Sequence, residues 1–182
     1  MRLFVGIALS DETEQALASY VSGLSEVFAR LRWSTPQQWH VTLQFLGEAD
    51  DARYVCIVDQ LRTVRASSVE IHLAEPGFFE RAGVFHVAVQ ATKTLVALHY
   101  QVEQVLQRCG FEPEARPYSP HITLARNKGR GPLPDFKRLK QAIHEKPVPI
   151  LSGFTSQEFL LYQSSTEPSG SRYEVRERFP LM

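Results

Sequence analysis

The sequence predicts an α+β fold of two pseudo-symmetric halves whose sheets face one another, with helices on the outside. Three observations predict it. Segments with strand and helix periodicity alternate along the chain, and their order in the second half repeats that of the first. Each half also carries one apolar-flanked His-x-Thr string, His40-Val41-Thr42 and His121-Ile122-Thr123, roughly half a chain apart.

The elements follow in order. Residues 3–9 form a short apolar run, the mark of a buried strand. Ser10-Asp11 supplies an N-cap with acids in the first turn, and Leu17, Val21, Leu24, Phe28 and Leu31 then recur at helical spacing. A turn at Ser34-Thr35-Pro36 leads into an alternating strand over 39–46, which stops at Gly47. Asp50-Asp51 opens a second helix with Tyr54, Ile57, Leu61 and Val64 on its stripe, and a strand at 69–73 ends at a break at Pro76-Gly77. The second half runs from a strand at 84–89 to a helix over 94–109 stopped by Gly110. Pro117 and Pro120 bracket the entry to a strand at 121–125. A Gly/Pro-rich loop over 127–134 precedes a short helix near 136–143. Strands at 148–163, interrupted at Ser152-Gly153, and at 173–179 close the chain.

Composition narrows the function classes. The chain has 182 residues, 43% hydrophobic and 22% charged, enough for one well-cored domain or two small lobes sharing a core. Lys+Arg and Asp+Glu are equal at 20 each, so no global positive field draws the protein onto nucleic acid. Any RNA it takes is therefore recognised locally, at an end or a small feature. No stretch reaches the roughly 18 apolar residues of a membrane span. The opening run MRLFVGIALSDETE reads as a first strand rather than a signal peptide. Cys56 and Cys109 lack metal-ligand spacing and are expected to be reduced core thiols. A cytoplasmic monomer is the expectation.

The chemistry lies in the two His-x-Thr strings. In a strand, residues i and i+2 share a face. Strict alternation places His40, Thr42 and Gln44 on one face and Val41, Leu43 and Phe45 in the core. It likewise sets His121 and Thr123 against Ile122 and Leu124. If a pseudo-twofold relates the halves, the two imidazole–hydroxyl pairs converge on one cleft. Opening a cyclic phosphodiester needs one group to take a proton from water and another to protonate the departing ribose oxygen. Histidine serves both roles because its ordinary pKa, about 6.5, lies near neutrality. Thr42 and Thr123 can donate hydrogen bonds to non-bridging phosphate oxygens. No metal or other cofactor is required by this scheme.

At these residues the chain resembles the 2H phosphoesterase superfamily, and within it the RNA 2′,3′-cyclic phosphodiesterases, also described as 2′-5′ RNA ligases. The resemblance spans nearly the whole chain. It covers Arg2-Leu3-Phe4-Val5-Gly6-Ile7, Trp39-His40-Val41-Thr42-Leu43-Gln44-Phe45-Leu46-Gly47, and Arg116-Pro117-Tyr118-Ser119-Pro120-His121-Ile122-Thr123-Leu124-Ala125-Arg126. It closes on Ser171-Arg172-Tyr173 and Arg178-Phe179-Pro180-Leu181. The resemblance implies one bilobal α+β domain over 1–182, with lobe halves of about 1–80 and 81–182 and an antiparallel sheet in each lobe lining a central cleft. It implies metal-free hydrolysis of RNA 2′,3′-cyclic phosphate ends to 2′-phosphomonoesters, with reversible 2′-5′ RNA ligation beside it. It also assigns His40 as proton donor to the 3′ leaving oxygen and His121 as the base that activates water. Members often carry a Trp in the strand opening the second half. Here the stretch is Gly83-Val84-Phe85-His86-Val87, making His86 a candidate cleft residue.

Arg126 divides two readings. Strict alternation turns it away from His121, whereas a bulge after Leu124 would swing its guanidinium toward phosphate. Lys128 and Arg130 read as a solvated loop flanking the second motif. His72, His99 and His144 read as structural, and Trp33 and Trp39 as packing at the lobe entrance. Other classes stand beside this one. A non-catalytic RNA-binding module would not need two titrating pairs. A metalloenzyme would need a third ligand, which neither motif supplies nearby. A phosphodiesterase acting on another cyclic phosphate or on 2′-5′-linked oligonucleotides would use the same two imidazoles.

Overall fold

The computed structural model describes residues 1–127, 134–145, 153–167 and 170–182. In chain order the elements are β1 (Arg2–Ala8), α1 (Asp11–Val27), β2 (Arg32–Trp33), β3 (His40–Glu48), α2 (Asp51–Leu61), β4 (Val69–Ile71) and β5 (Leu73–Phe79). Then come β6 (Val84–Val89), α3 (Lys93–Leu106), β7 (His121–Arg126), α4 (Pro134–Glu145), β8 (Phe154–Ser156), β9 (Glu158–Glu167) and β10 (Gly170–Pro180). The expected strand start over 148–152, and Lys128 and Arg130, lie outside the described residues. The first three helices begin on side-chain caps: Ser10 accepts from the Thr13 amide, Asp50 from Arg53 and Thr92 from Leu95.

Two four-stranded antiparallel sheets, in orders β10-β9-β1-β3 and β2-β7-β6-β5, form the frame, with β4 and β8 as a separate pair. The α+β architecture is as the sequence predicts. Chain half and sheet do not coincide, however. β2, from the first half, pairs with β7, while β9 and β10, from the second, extend the sheet of β1 and β3. The physical reason is edge satisfaction: β1 pairs with β3 on one side, and β9 covers the row of backbone groups on the other.

One apolar core joins both sheets to the helices. Leu17, Val21 and Leu24 of α1, Ile57 and Leu61 of α2, and Leu95, Leu98 and Val102 of α3 are buried with Val41 and Leu43 of β3 and Ile122 and Leu124 of β7. Each fully buried Leu or Ile contributes roughly 2 kcal/mol of transfer free energy. The inward faces of the two motif strands are thereby pinned, which fixes where their outward faces point.

Two sequence expectations are corrected here. Pro76-Gly77 does not break a strand: both residues sit inside β5, opposite Val87 and His86. β5 is an edge strand with a register irregularity between Leu73 and Pro76, where a missing N–H costs no ladder bond. Cys56 and Cys109 are not free thiols but a disulfide, with Cα atoms 5.9 Å apart. They lie 53 residues apart, and only the packing of α2 against α3 and the 3-10 turn that follows it brings them together.

Candidate active site

Each His-x-Thr strand pairs with one long neighbour, β3 at the edge of its sheet and β7 with only the two-residue β2 beyond it. β1 is the neighbour of β3 and β6 the neighbour of β7, with Ala8 opposite His40 and Ala88 opposite His121. In each strand the residue after Thr is a bulge. Along β1, Val5 opposes Gln44 and Gly6 opposes Thr42, leaving Leu43 without a partner. Along β6, Phe85 opposes Ala125 and His86 opposes Thr123, leaving Leu124 without one. A one-residue bulge breaks the period of two, so two consecutive residues turn inward and the next turns out. Leu43-Gln44 and Leu124-Ala125 are the buried pairs, and Phe45 and Arg126 are exposed.

This parity shift corrects two expectations and decides a third. Gln44 does not share the face of His40 and Thr42: it is buried, with its amide oxygen unpaired. Phe45 is not a core residue but 64% exposed, on the wall of the cleft. Arg126 takes the bulged alternative, and its charge acts on both His40 and His121. The two motif copies themselves carried the missed signal. Aligning HVTLQF on HITLAR places Phe45 at the offset from its histidine that Arg126 has from its own.

The two imidazoles are held in the same manner. His40 Nδ1 lies 2.8 Å from the Gln38 carbonyl, and His121 Nδ1 lies 2.8 Å from the Ser119 carbonyl. A carbonyl only accepts, so Nδ1 carries the proton in both rings and Nε2 is left for chemistry. β3 and β7 lie against each other across the two sheets, and the two rings interact electrostatically. Burial pushes His40 down to about 4. The charges of His121 and Arg126 act in the same direction, and the Gln38 carbonyl opposes them. His121 is also lowered, by burial and then by Arg126, against the upward pull of the Ser119 carbonyl. Both rings are therefore neutral in the free protein at neutral pH.

The surroundings of the two rings differ. His40 sits in an aromatic cage, with ring centroids 4.6 Å from Phe4, 5.3 Å from Tyr173 and 5.8 Å from Tyr162. Gly6 makes this possible: a Cβ there would lie 2.9 Å from the Val41 carbonyl oxygen and 3.4 Å from His40 Cδ2. His121 instead meets Phe79 at 4.8 Å and His86 at 5.3 Å, both edge-on. His86 is 6% exposed, stacks on Phe79 at 4.1 Å, and has an unpaired Nδ1. Burial, then the charge of His121, pushes it down to about 4. Gly77 leaves room for it, since a Cβ there would stand 3.0 Å from His86 Nε2.

A cavity of about 810 Å³ opens beside Thr42 and His121, walled by Phe45, Phe79, Tyr118 and Arg116 among others. Trp39 is in the core and Trp33 is half-buried, donating its indole N–H to the Phe28 carbonyl at 2.9 Å. Among the described residues no group of three or more His, Cys, Asp and Glu side chains is gathered in a way that could hold a metal ion. None of the helices there is long and apolar enough to cross a membrane.

The family model of the 2′-5′ RNA ligase superfamily matches residues 13–166. The chain belongs to that superfamily. Both His-x-Thr strings of this superfamily member fall within the matched region. Its curated relatives include an RNA 2′,3′-cyclic phosphodiesterase of Bacillus subtilis, 34% identical over 160 residues, covering 82% of this chain and 80% of that protein. Another, from Geobacillus stearothermophilus, is 29% identical over 184 residues and covers 98% of this chain. The present chain spans 57% of that relative's length. Among solved structures, E. coli LigT complexed with 3′-AMP superposes with a TM-score of 0.81 at 24% identity, covering 99% of this chain and 97% of LigT. That likeness shows the fold.

Proposed function

We propose that this protein hydrolyses RNA 2′,3′-cyclic phosphate ends to 2′-phosphomonoesters by metal-independent acid–base catalysis, with reversible 2′-5′ ligation as a parallel reaction in which a 5′-hydroxyl takes the place of water. The observation that carries the reading is the matched pair of His-x-Thr strands, each with Nδ1 tied to the carbonyl two residues upstream and Nε2 free. The names of the relatives, RNA 2′,3′-cyclic phosphodiesterases, supply the substrate class.

In this reaction water attacks phosphorus, and His121 Nε2 takes its proton as the new P–O bond forms. The P–O3′ bond breaks, and His40, protonated at Nε2, gives that proton to O3′. Donor and acceptor are assigned by the family resemblance. The substrate's negative charge favours the imidazolium this step needs, offsetting the low value of His40 in the free protein. Thr42 and Thr123 hydroxyls donate to the non-bridging oxygens, and the Arg126 guanidinium neutralises the charge that builds there. Phe45, on the opposite wall at the position matching Arg126, offers a face for the terminal base. His86 lines the His121 side where relatives often carry Trp.

The same reading treats residues 1–182 as one bilobal domain, acting as a cytoplasmic monomer. The test is to incubate the pure protein with a 2′,3′-cyclic-phosphate-ended RNA and identify the product isomer. A 2′-phosphate is expected, with turnover lost in His40→Ala and His121→Ala and unaffected by EDTA. A 3′-phosphate product, or EDTA inhibition reversed by a divalent ion, would overturn the scheme. RNA binding without turnover would leave a binding module.

A further inference from the structure

At the bulge that re-aims Phe45, on the edge strand β3, two successive carbonyls take partners from across the molecule. The Thr42 carbonyl accepts from the Tyr118 hydroxyl at 3.0 Å. The Leu43 carbonyl accepts from His99 Nδ1 at 2.9 Å. The rings of His99 and Tyr118 stack at 3.8 Å, nearly parallel at 9°. Behind them stands Glu103, one helical turn from His99 on α3 and 9% exposed. One carboxylate oxygen lies 3.5 Å from His99 Nε2, and the other accepts the Glu114 amide at 2.9 Å. The second bulge has a backbone counterpart: the Leu124 carbonyl accepts from the Ser34 amide at 2.8 Å. Side chains therefore do at the first motif what main chain does at the second.

The placement of Tyr118 is telling. It precedes Ser119, whose carbonyl fixes the proton on His121 Nδ1, and His121 follows two residues later. One short segment thus holds the Thr42 backbone with its first residue and the His121 tautomer with its second. We propose that Glu103, His99 and Tyr118 are positioning residues that set the separation of the two catalytic strands, holding the Thr42 hydroxyl in register with the His121 ring. Tyr118 and His99 stand in the cavity wall, but their polar atoms are turned to the β3 carbonyls and to Glu103. Their effect is exerted through the Thr42 and Leu43 carbonyls, and it rests on the reaction proposed above. An ångström of misplacement in such a site costs roughly a hundredfold in rate.

The test compares kinetics and imidazole titration across substitutions that differ only in the donor. Tyr118→Phe and His99→Leu each remove one hydrogen bond to β3. His99→Asn keeps a donor, because its amide nitrogen occupies the place of Nδ1. With a cyclic-phosphate-ended RNA, Tyr118→Phe and His99→Leu are expected to lower kcat ~10- to 100-fold with KM within about threefold. His99→Asn should recover most of that loss. In a Thr42→Ala background the Tyr118→Phe loss should shrink to about twofold or less, because the hydroxyl it positions is gone. Unchanged kcat, equal damage from Asn and Leu at 99, or full additivity with Thr42→Ala would each overturn the proposal.

NMR titration of the His121 ring gives a readout that does not need turnover. Its midpoint should move in His99→Leu and Tyr118→Phe and return in His99→Asn. If the wild-type protein leaves cyclic phosphate ends intact, the functional reading fails, and this titration alone then decides the positioning role: unmoved midpoints refute it.

Discussion

His86 gives the sharpest quantitative expectation. Its ring is 6% exposed, stacked on Phe79 and pushed down to about 4, whereas an unfolded chain titrates it near 6.5. Between those two values the unfolded state binds a proton that the folded state refuses, so stability falls as pH drops through 6.5. From pH 7 to pH 5 the cost is ~2 kcal/mol for this one ring. At and above pH 7 it contributes almost nothing. His86→Leu removes the titrating group and the unpaired Nδ1 while keeping an apolar side chain against Phe79. Urea denaturation of wild type and variant at both pH values isolates the effect, because His40 and His121 titrate in both proteins and cancel. The wild type should lose ~2 kcal/mol more than His86→Leu on acidification. Equal losses would refute the idea that this ring is held neutral. The same neutrality matters for function, since an uncharged His86 adds no positive charge beside His121.

Four further outcomes follow from the geometry. With the rings of His40 and His121 both pushed below 6.5, the singly protonated pair that the proposed reaction needs is depleted as pH rises, so kcat/KM should decline from pH 6 to pH 8; a plateau up to pH 8 would contradict the lowered values. Arg126→Ala should cost ~10²- to 10³-fold in kcat and move that decline to higher pH, because its charge lowers both rings; Arg126→Lys should recover the pH profile better than the rate. Phe45→Ala, at a 64% exposed position, should leave the melting temperature nearly unchanged and raise KM ~5- to 100-fold for base-bearing substrates; an equal effect on an abasic ribose cyclic phosphate would exclude stacking. Replacing both Cys56 and Cys109 by Ala opens a link between residues 53 apart and should cost ~4 kcal/mol, or roughly 10 °C in melting temperature; an unchanged melting curve would show that the link does not constrain the unfolded chain.

Much of this molecule was legible in advance because its local signals agree. The caps at Ser10 and Asp50, the apolar stripes of the first three helices and the stop at Gly110 are local chemistry, and each of those helices begins and ends within a few residues of its expected place. His40, Thr42, His121 and Thr123 were visible because one unusual string occurs twice, and the fold sets those two strings in neighbouring strands of facing sheets.

What the sequence alone determined, then, is most of the elements, though not β2 or β5, together with the α+β class and the two repeated His-x-Thr strings, since periodicity and motif identity are properties of neighbouring residues. Only the tertiary structure decided which residues flank the chemistry. The bulges at Leu43 and Leu124 invert the alternation, sending Phe45 outward, Gln44 inward and Arg126 to the histidines. Alternation presumes an unbroken ladder, and a bulge exists only relative to the neighbouring strand, which no local window contains. The Cys56–Cys109 bond, the exchange of β2 and β9 between sheets and the Tyr118 and His99 bonds to β3 share that origin: each joins residues more than 50 positions apart in the chain.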